Sequence, residues 1–593
     1  MKAKNLPHVF LNTVKKSAQR PCFKYKKNGK WHTISWQEAR EQVSVIALGL
    51  KSLGVKKGDR VAIFSSTRVE WTLCDLAILS LGAVAIPIYQ SNTPDQAAFI
   101  LQNSETRILF VENKPLFDKI QSQRAGLPEL EKIILITGKE PDDKNILTFE
   151  QLQKLGRREE DSSWERAIHT INASDIATLV YTSGTTGPPK GAVLTHGNFL
   201  AELEACQKLF EITCHDTSIV FLPLAHILAR VMQFFQISIG FEQAYAESID
   251  KLVDNLGEVR PHFFVAVPRI FEKVHERILH QVEAGSPLKK AVFSWANAVG
   301  GEISLRKQKK KAVGPLLWLQ GELASQLVFK KLKKRLGGRL RYAVSGGAPL
   351  AKEISEFFHA AGILILEGYG LSETTAAINC NSMKNYRFGT VGQVAQGAEE
   401  KIAPDGEILV RGPLVFQGYY KDPEATRQVL TEDGWFKTGD IGEFDKDGFL
   451  KITDRKKDII VTAGGKNIAP QNIENLLKTV PFISQVMVHG DRKKFLTALV
   501  TLNRQPIEEF AKSEGISFSE FGELTHHPKI LHLVKQAIDE KNKKLASYES
   551  IKRFTILTDD FSQEGGELTP TLKVKRKFVT EKYKDAIEQL YQE

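Results

Sequence analysis

The sequence predicts an α/β protein: a large N-terminal domain of layered α/β subdomains plus a β-rich subdomain, and a small α+β C-terminal domain. Three observations carry this. Short β-like runs alternate with helical patterns over the first 150 residues, the texture turns to short strands and tight turns after Phe388, and a compact α+β pattern follows the charged run Asp454-Arg455-Lys456-Lys457-Asp458. A chain of 593 residues suggests roughly three to four units at about 150 residues each. With 42% hydrophobic and 25% charged residues it has the composition of a packed protein, which excludes wholesale disorder.

In chain order, Arg60 to Phe64, Ala83 to Ile88, Arg107 to Val111 and Lys132 to Ile136 read as strands, separated by amphipathic stretches such as Arg68 to Leu81 and Pro94 to Leu101. From Ala177 the pattern is strand, Gly-rich loop, strand, with a helix starting after Gly197. Phe263 to Val267, Arg341 to Val344 and Ile363 to Leu366 are further strands, each bounded by Pro or Gly. Asp405-Gly406 and Asp447-Gly448 lie between apolar runs and predict hairpin turns. Helices are expected near Pro470 to Lys478 and Lys529 to Lys544, and strands near Gln485 to His489 and Leu496 to Leu502. The domain reading is 1–454, a hinge at 455–457, and 458–593.

Several classes are excluded or disfavoured. The apolar run from Leu76 to Tyr89 is too short to span a bilayer and holds Pro87, and the run from Ile219 to Phe241 contains His226 and Arg230, so no transmembrane helix is expected. The N-terminal MKAKNLPHVFLNTVKK lacks the apolar core of a secretory signal, which predicts a cytoplasmic chain. Cys22, Cys74, Cys206, Cys214 and Cys380 form neither an even framework nor a CxxC pair, so no disulfide scaffold or zinc site is indicated. Lys plus Arg exceed Asp plus Glu by 81 − 70 = 11, and the segment Glu302 to Arg341 alone holds twelve Lys or Arg against two Glu. Such a local surplus fits either a solvated helix pair or peripheral contact with an anionic membrane, on the cytoplasmic face, because Lys and Arg flank VGPLLWLQ. Nucleic-acid binding is disfavoured, since no aromatic-interleaved basic motif is present.

The stretch Thr182-Ser183-Gly184-Thr185-Thr186-Gly187-Pro188-Pro189-Lys190-Gly191 combines glycines, hydroxyls and a lysine, which together offer backbone approach, donors and charge to a phosphate chain. It is not a Walker loop: no Ser or Thr follows Lys190, and strands flank it on both sides. Taken alone, a hairpin without a ligand reads it equally well. Four more strings follow in order: EGYGLSETT from Glu367, GWFKTGD from Gly434, DRKKDIIVTAGGKNIAPQNIE from Asp454 and TPTLKVKR from Thr569. Together the five resemble the signature set of the adenylate-forming superfamily, which holds acyl-CoA synthetases, luciferase-like enzymes and peptide-synthetase adenylation domains. The resemblance covers about Ser35 to Tyr583. FLPLAHILAR, VAVPRIFEKVHERI and the long basic helical insert between Glu272 and Arg341 resemble the long-chain fatty acid CoA ligase branch.

That resemblance implies ATP, Mg2+ and coenzyme A as reaction partners and a fatty acid as substrate. It implies that Ser183 to Lys190 hold the β- and γ-phosphates, that Ser183 and Glu373 meet the metal, and that Tyr369 stacks on adenine with Gly368 and Gly370 allowing close approach. Glu367 and Ser372 belong to the same string, and Gly346 and Gly347 of VSGGAP line the adenine and acyl side. Asp440 binds the ribose hydroxyls, reinforced by Arg455. His226, which by itself reads as a core histidine, matches a position that contacts the substrate carboxylate. No Asp or Glu in its segment would bind an amino acid's ammonium, which disfavours an amino-acid activator. VMQFFQISIGF and PHFFVAVP supply apolar walls for an alkyl chain, and are in part ordinary core strands and helices. Lys573 matches the C-terminal catalytic lysine, ahead of Lys575 and Lys577. Lys457 matches the hinge, and Gly464 and Gly465 leave room on the coenzyme A side. The expectation is therefore a long-chain fatty acid to CoA ligase. The rivals are a medium-chain or aryl acid ligase, transfer to a carrier-protein thiol, or an inactive nucleotide-binding membrane scaffold.

Overall fold

The computed structural model describes residues 3–138, 143–182, 188–463, 466–569 and 572–592. Ser183, Gly184, Thr185, Thr186 and Gly187 of the phosphate loop, and Gly464 and Gly465, lie outside the described residues.

Two large sheets form the N-terminal part. One has seven strands in the order Ile146–Thr148, Lys132–Leu135, Ile108–Val111, Arg60–Phe64, Val84–Ile88, Ile176–Thr182 and Lys190–Thr195. All its pairs are parallel except the last, which flanks the phosphate loop. The other has nine strands, with a parallel centre of Leu364–Tyr369, Tyr342–Ser345, Phe263–Ala266, Thr217–Val220 and Glu242–Tyr245. Central strands such as Val84–Ile88 and Phe263–Ala266 are buried at every residue, as parallel strands covered on both faces must be.

One helix departs from its sequence reading. Val69–Ser80 was expected to be amphipathic, yet eleven of its twelve residues are buried and only Glu70 reaches the surface. Its polar residues face partners rather than water. Asp75, with no exposed side-chain surface, accepts from Arg230 Nε at 3.0 Å and from Gln233 Nε2 at 2.8 Å. Gln233 in turn accepts from Thr72 Oγ1 at 2.7 Å, and Tyr245 of the nine-stranded sheet donates to the same Thr72 oxygen at 2.7 Å. Arg230 also reaches Thr178 of the seven-stranded sheet at 2.5 Å. This seam ties the two sheets together where an apolar interface alone would leave their relative position less specified, and it satisfies the side chains of Asp75, Thr72, Gln233 and Arg230.

Beyond Phe388 an antiparallel sheet runs Glu399–Ile402, Glu407–Arg411, Phe436–Phe444 and Leu450–Arg455. Its turns fall at the two Asp-Gly pairs. Gly406 (φ +85°) and Gly448 (φ +79°) take the left-handed conformation that closes each hairpin. The C-terminal part has its own core, built by a sheet of Ile483–His489, Leu496–Leu502 and Ile551–Ile556 with the helices Pro470–Leu477 and Pro528–Asn542. The basic insert is helical: Pro287–Gln308, Pro315–Ala324, a single π-turn Ser325–Phe329, and Lys330–Arg335.

Candidate active site

The two parts of the chain meet at a cleft of about 2600 Å³. Thr182, Lys190, His226, Gly347, Glu367, Gly368, Tyr369, Gly370, Ser372, Glu373, Asp440, Arg455, Lys457 and Lys573 all line it. Gly346 stands just behind, where an added Cβ would come within 3.1 Å of Leu228.

The strand Leu364–Tyr369 delivers the EGYG string to the cleft wall. At Gly370 an added Cβ would sit 1.4 Å from the Ala376 carbonyl oxygen, so only glycine lets the returning chain pass. Immediately after the 3₁₀ turn Ser372–Thr374, Thr375 (φ +54°) and Ala376 (φ +83°) are both left-handed. Two successive non-glycine residues in that conformation are costly, and such strain collects at functional sites. The bond from Thr375 Oγ1 to Leu414 O at 2.7 Å and that from Phe416 N to Glu373 O at 2.8 Å hold the segment in place.

Tyr369 donates its hydroxyl to Asp440 at 2.7 Å, and Arg455 Nε lies 3.3 Å from the other Asp440 oxygen. The pairing of Phe436–Phe444 with Leu450–Arg455 sets Asp440 directly opposite Arg455. Glu373 is buried and accepts from the Tyr419 hydroxyl at 2.8 Å. Burial raises its carboxyl above the usual range, with the Tyr419 hydroxyl and the Arg455 charge acting in the opposite direction. The ammonium of Lys190 lies 5.3 Å over the Tyr419 ring and 3.9 Å from Asp422. Tyr419 is a functional candidate that the sequence reading missed. Its placement depends on main-chain bonds of 417–420 to the strand Lys190–Thr195, more than two hundred residues away, such as Tyr420 N to Gly191 O at 2.8 Å. No local spacing in FQGYYKD signals that pairing.

His226 caps the helix Ile227–Ile239, its Nδ1 accepting from Leu228 N at 3.2 Å. Burial and the nearby Lys573 cation push its pKa down to about 4, so the ring is neutral at pH 7 and its proton is on Nε2. It is thus a neutral donor at the cleft. Lys573 comes from the C-terminal part, held by Lys573 N to Thr569 Oγ1 at 3.0 Å and Thr569 N to Lys573 O at 2.8 Å. Burial and the Arg455 charge drive its ammonium down to about 8, against the pull of Asp440. Lys457 is lowered for the same reasons, burial first and Arg455 second. Its neighbour Lys456 is tied to Asp405 at 2.6 Å and Glu407 at 2.9 Å.

Two groups bear on ligands. Burial lifts Glu367 to about 7, and its Oε1 has no hydrogen-bond partner among the described residues, leaving an acceptor at the cleft wall. Among the described residues no group of three or more His, Cys, Asp or Glu forms a metal site. A hard cation at Glu373 would therefore take most of its oxygen ligands from phosphate and water, which is how magnesium is commonly bound. The apolar-wall reading needs one correction. Val267 and Pro268 line the cleft, but the stretch Val231–Phe241 does not; Phe234, Phe235 and Phe241 are core residues, packed on Phe199, Phe210 and Phe263.

Comparison with known proteins bears on the family and the fold. The family model described as AMP-binding enzyme matches residues 10–420, and that described as AMP-binding enzyme C-terminal domain matches 457–593. The long-chain-fatty-acid--CoA ligase FadD15 of Mycobacterium bovis is 39% identical over 95% of this chain and 93% of its own length. The human long-chain-fatty-acid--CoA ligase ACSBG2 is 32% identical over 99% and 92%. The adenylation domain of the carboxylic acid reductase from Segniliparus rugosus, solved with AMP and a co-purified carboxylic acid, superposes with a TM-score of 0.78 over 100% of this chain and 94% of that one. At 20% identity that likeness establishes the fold alone. Matched over most of its length by the first model and at its C-terminal end by the second, the chain belongs to the AMP-binding enzyme family.

Proposed function

We propose that this chain is an AMP-forming long-chain fatty acid to CoA ligase. The observation that carries it is the convergence on one cleft of Lys190, Glu373, Asp440, Arg455 and Lys573, one from each of the five ordered strings and drawn from both parts of the chain. The two relatives above bear this activity in their names. In the first half-reaction a fatty carboxylate oxygen attacks the α-phosphorus of ATP, and the bond to the departing pyrophosphate breaks. In the second the coenzyme A sulfur attacks the acyl carbonyl, the acyl-to-phosphate C–O bond breaks, AMP leaves and the thiol proton passes to solvent.

Both steps concentrate negative charge, and the side chains present answer it. Lys190 meets the outer phosphates and Lys573 offsets charge between the attacking carboxylate and the α-phosphate. His226 donates from Nε2 to the carboxylate oxygen that stays behind. Tyr369 offers its ring to adenine, and Asp440 takes the ribose hydroxyls. Glu373 would hold magnesium, with Ser183 as the further ligand implied by resemblance, and the ion when bound would neutralise the outer phosphates. Lys457 is the pivot of a C-terminal domain, 458–593, that turns between half-reactions and brings Gly464 and Gly465 to the cleft for coenzyme A. The test measures each half-reaction in two variants. Lys573→Ala is expected to lose acyl-adenylate formation by two or more orders of magnitude yet still convert supplied acyl-AMP, whereas Lys457→Pro should form adenylate and stall at the thioester. Equal losses in both steps for both variants would refute a turning domain.

A second reading concerns the basic insert. No helix among the described residues is long and apolar enough to cross a membrane. Leu316, Trp318, Leu319, Leu323 and Leu327 nevertheless project into solvent, with Leu316 71% exposed, and exposed lysines at 309–311, 330, 331 and 334 lie along the same insert. Clustered apolar exposure with flanking cations fits peripheral docking on an anionic bilayer. Binding to phosphatidylserine vesicles should weaken with salt and with Trp318→Ser; unchanged binding in both would remove the membrane reading.

A further inference from the structure

The helix Pro268–Glu283 leaves the strand Phe263–Ala266 at the cleft rim and turns one polar face to the C-terminal part. Arg269 makes a bidentate contact there. Its Nη1 donates to the Ser484 carbonyl at 3.0 Å and its Nη2 to Ser484 Oγ at 2.8 Å. The carbonyl is available because the register of Ile483–His489 against Leu496–Leu502 shifts between Ile483 and Gln485, leaving Ser484 at a bulge. Ser484 Oγ donates a hydrogen bond to Asp560 Oδ2 at 2.5 Å, while Thr501 Oγ1 donates to Asp560 Oδ1 at 2.5 Å. Asp560 stands at the start of the segment that carries Lys573, and its carboxylate also takes Phe561 N at 2.9 Å. A guanidinium on the large domain is therefore linked through one serine to the root of the lysine segment. Single contacts flank it: Lys273 donates to Asn503 at 2.7 Å, His280 Nε2 lies 2.5 Å from Glu509, and Lys478 lies 3.5 Å from Glu272.

We infer that Arg269 is a positioning residue for adenylation, holding Ser484 and Asp560 so that Lys573 faces the nucleotide side of the cleft. The inference rests on the two-half-reaction reading above. A planar fork that satisfies a carbonyl and a hydroxyl together fixes orientation as well as distance, which an ammonium cannot do. Because these bonds join the two parts of the chain, they must break if the C-terminal domain turns, and their loss should weigh on one half-reaction only.

The test compares Arg269→Ala and Arg269→Lys with the unaltered protein. Adenylation is read by pyrophosphate release from palmitate and ATP, and thioester formation from supplied palmitoyl-AMP and coenzyme A. Arg269→Ala should lower the adenylation kcat at least tenfold, keep KM for ATP within about threefold, and leave thioester formation undiminished. Arg269→Lys should recover only part of the loss. Asp560→Asn should give a similar selective loss, and the double variant should be no worse than the poorer single one, as expected of residues acting through one chain of bonds. A proportional fall in both half-reactions, or additive losses in the double variant, would mean that Arg269 only stabilises the fold and would overturn the inference. If the unaltered protein releases no pyrophosphate, the functional reading fails first, and the two failures are distinguished.

Discussion

The depressed pKa of Lys573 makes a quantitative prediction about pH. An ordinary lysine at 10.5 stays charged through pH 9, whereas one near 8 does not. If the ammonium form is the active one, the active fraction is about 91% at pH 7 and about 9% at pH 9. The kcat/KM for adenylation should fall about tenfold across that interval, because kcat/KM reports the free enzyme. Bound ATP brings negative charge to Lys573 and raises its pKa, so the limb in kcat should lie at higher pH than the limb in kcat/KM. The direction follows from the ion: deprotonation removes the cation, so activity is lost as pH rises. Measuring pyrophosphate release at subsaturating ATP between pH 6.5 and 9.5, with Lys573→Arg as a control that stays charged, reads this directly. The limb should disappear in the arginine variant even if its rate is lower throughout. A limb that persists unchanged in Lys573→Arg would show that another group titrates and that Lys573 is not the cation used.

Three further outcomes follow. Asp75→Asn keeps the shape of the buried seam but leaves Arg230 without a counter-charge at zero exposure, so it should cost about 3–5 kcal/mol in chemical unfolding of the N-terminal part. Tyr419→Phe removes a hydrogen bond that favours ionised Glu373; the acid limb of adenylation should move to higher pH, with a rate loss of about 5- to 150-fold from roughly 1–3 kcal/mol of lost stabilisation. Gly370→Ala places a methyl against the Ala376 carbonyl, and an equilibrium titration should show ATP binding weakened by at least about tenfold.

The parts of this account that were legible in the sequence are those written in local chemistry. Glycines at 406, 448 and 370 mark turns and close approaches because few other residues fit there, and the five strings carry their own spacing. Parallel strands such as Arg60–Phe64 read correctly because burial on both faces makes them continuously apolar. Periodicity failed where polar residues are buried and satisfied. The stretch Arg68 to Leu81 read as amphipathic, but the partners of its Asp75 and Thr72, namely Arg230, Gln233 and Tyr245, are more than 150 residues away. The same limit hid Tyr419, and it left the aromatic run through Phe234 and Phe235 open between substrate wall and core, where the structure buries it as core.

The central claim is most directly tested by product analysis of one reaction: palmitate, ATP, magnesium and coenzyme A with the full-length chain, followed by phosphorus NMR and mass spectrometry. The account predicts AMP and pyrophosphate in equal amounts together with palmitoyl-CoA, and acyl-AMP when coenzyme A is withheld. Formation of ADP and inorganic phosphate, or a thioester without any adenylate, would contradict it.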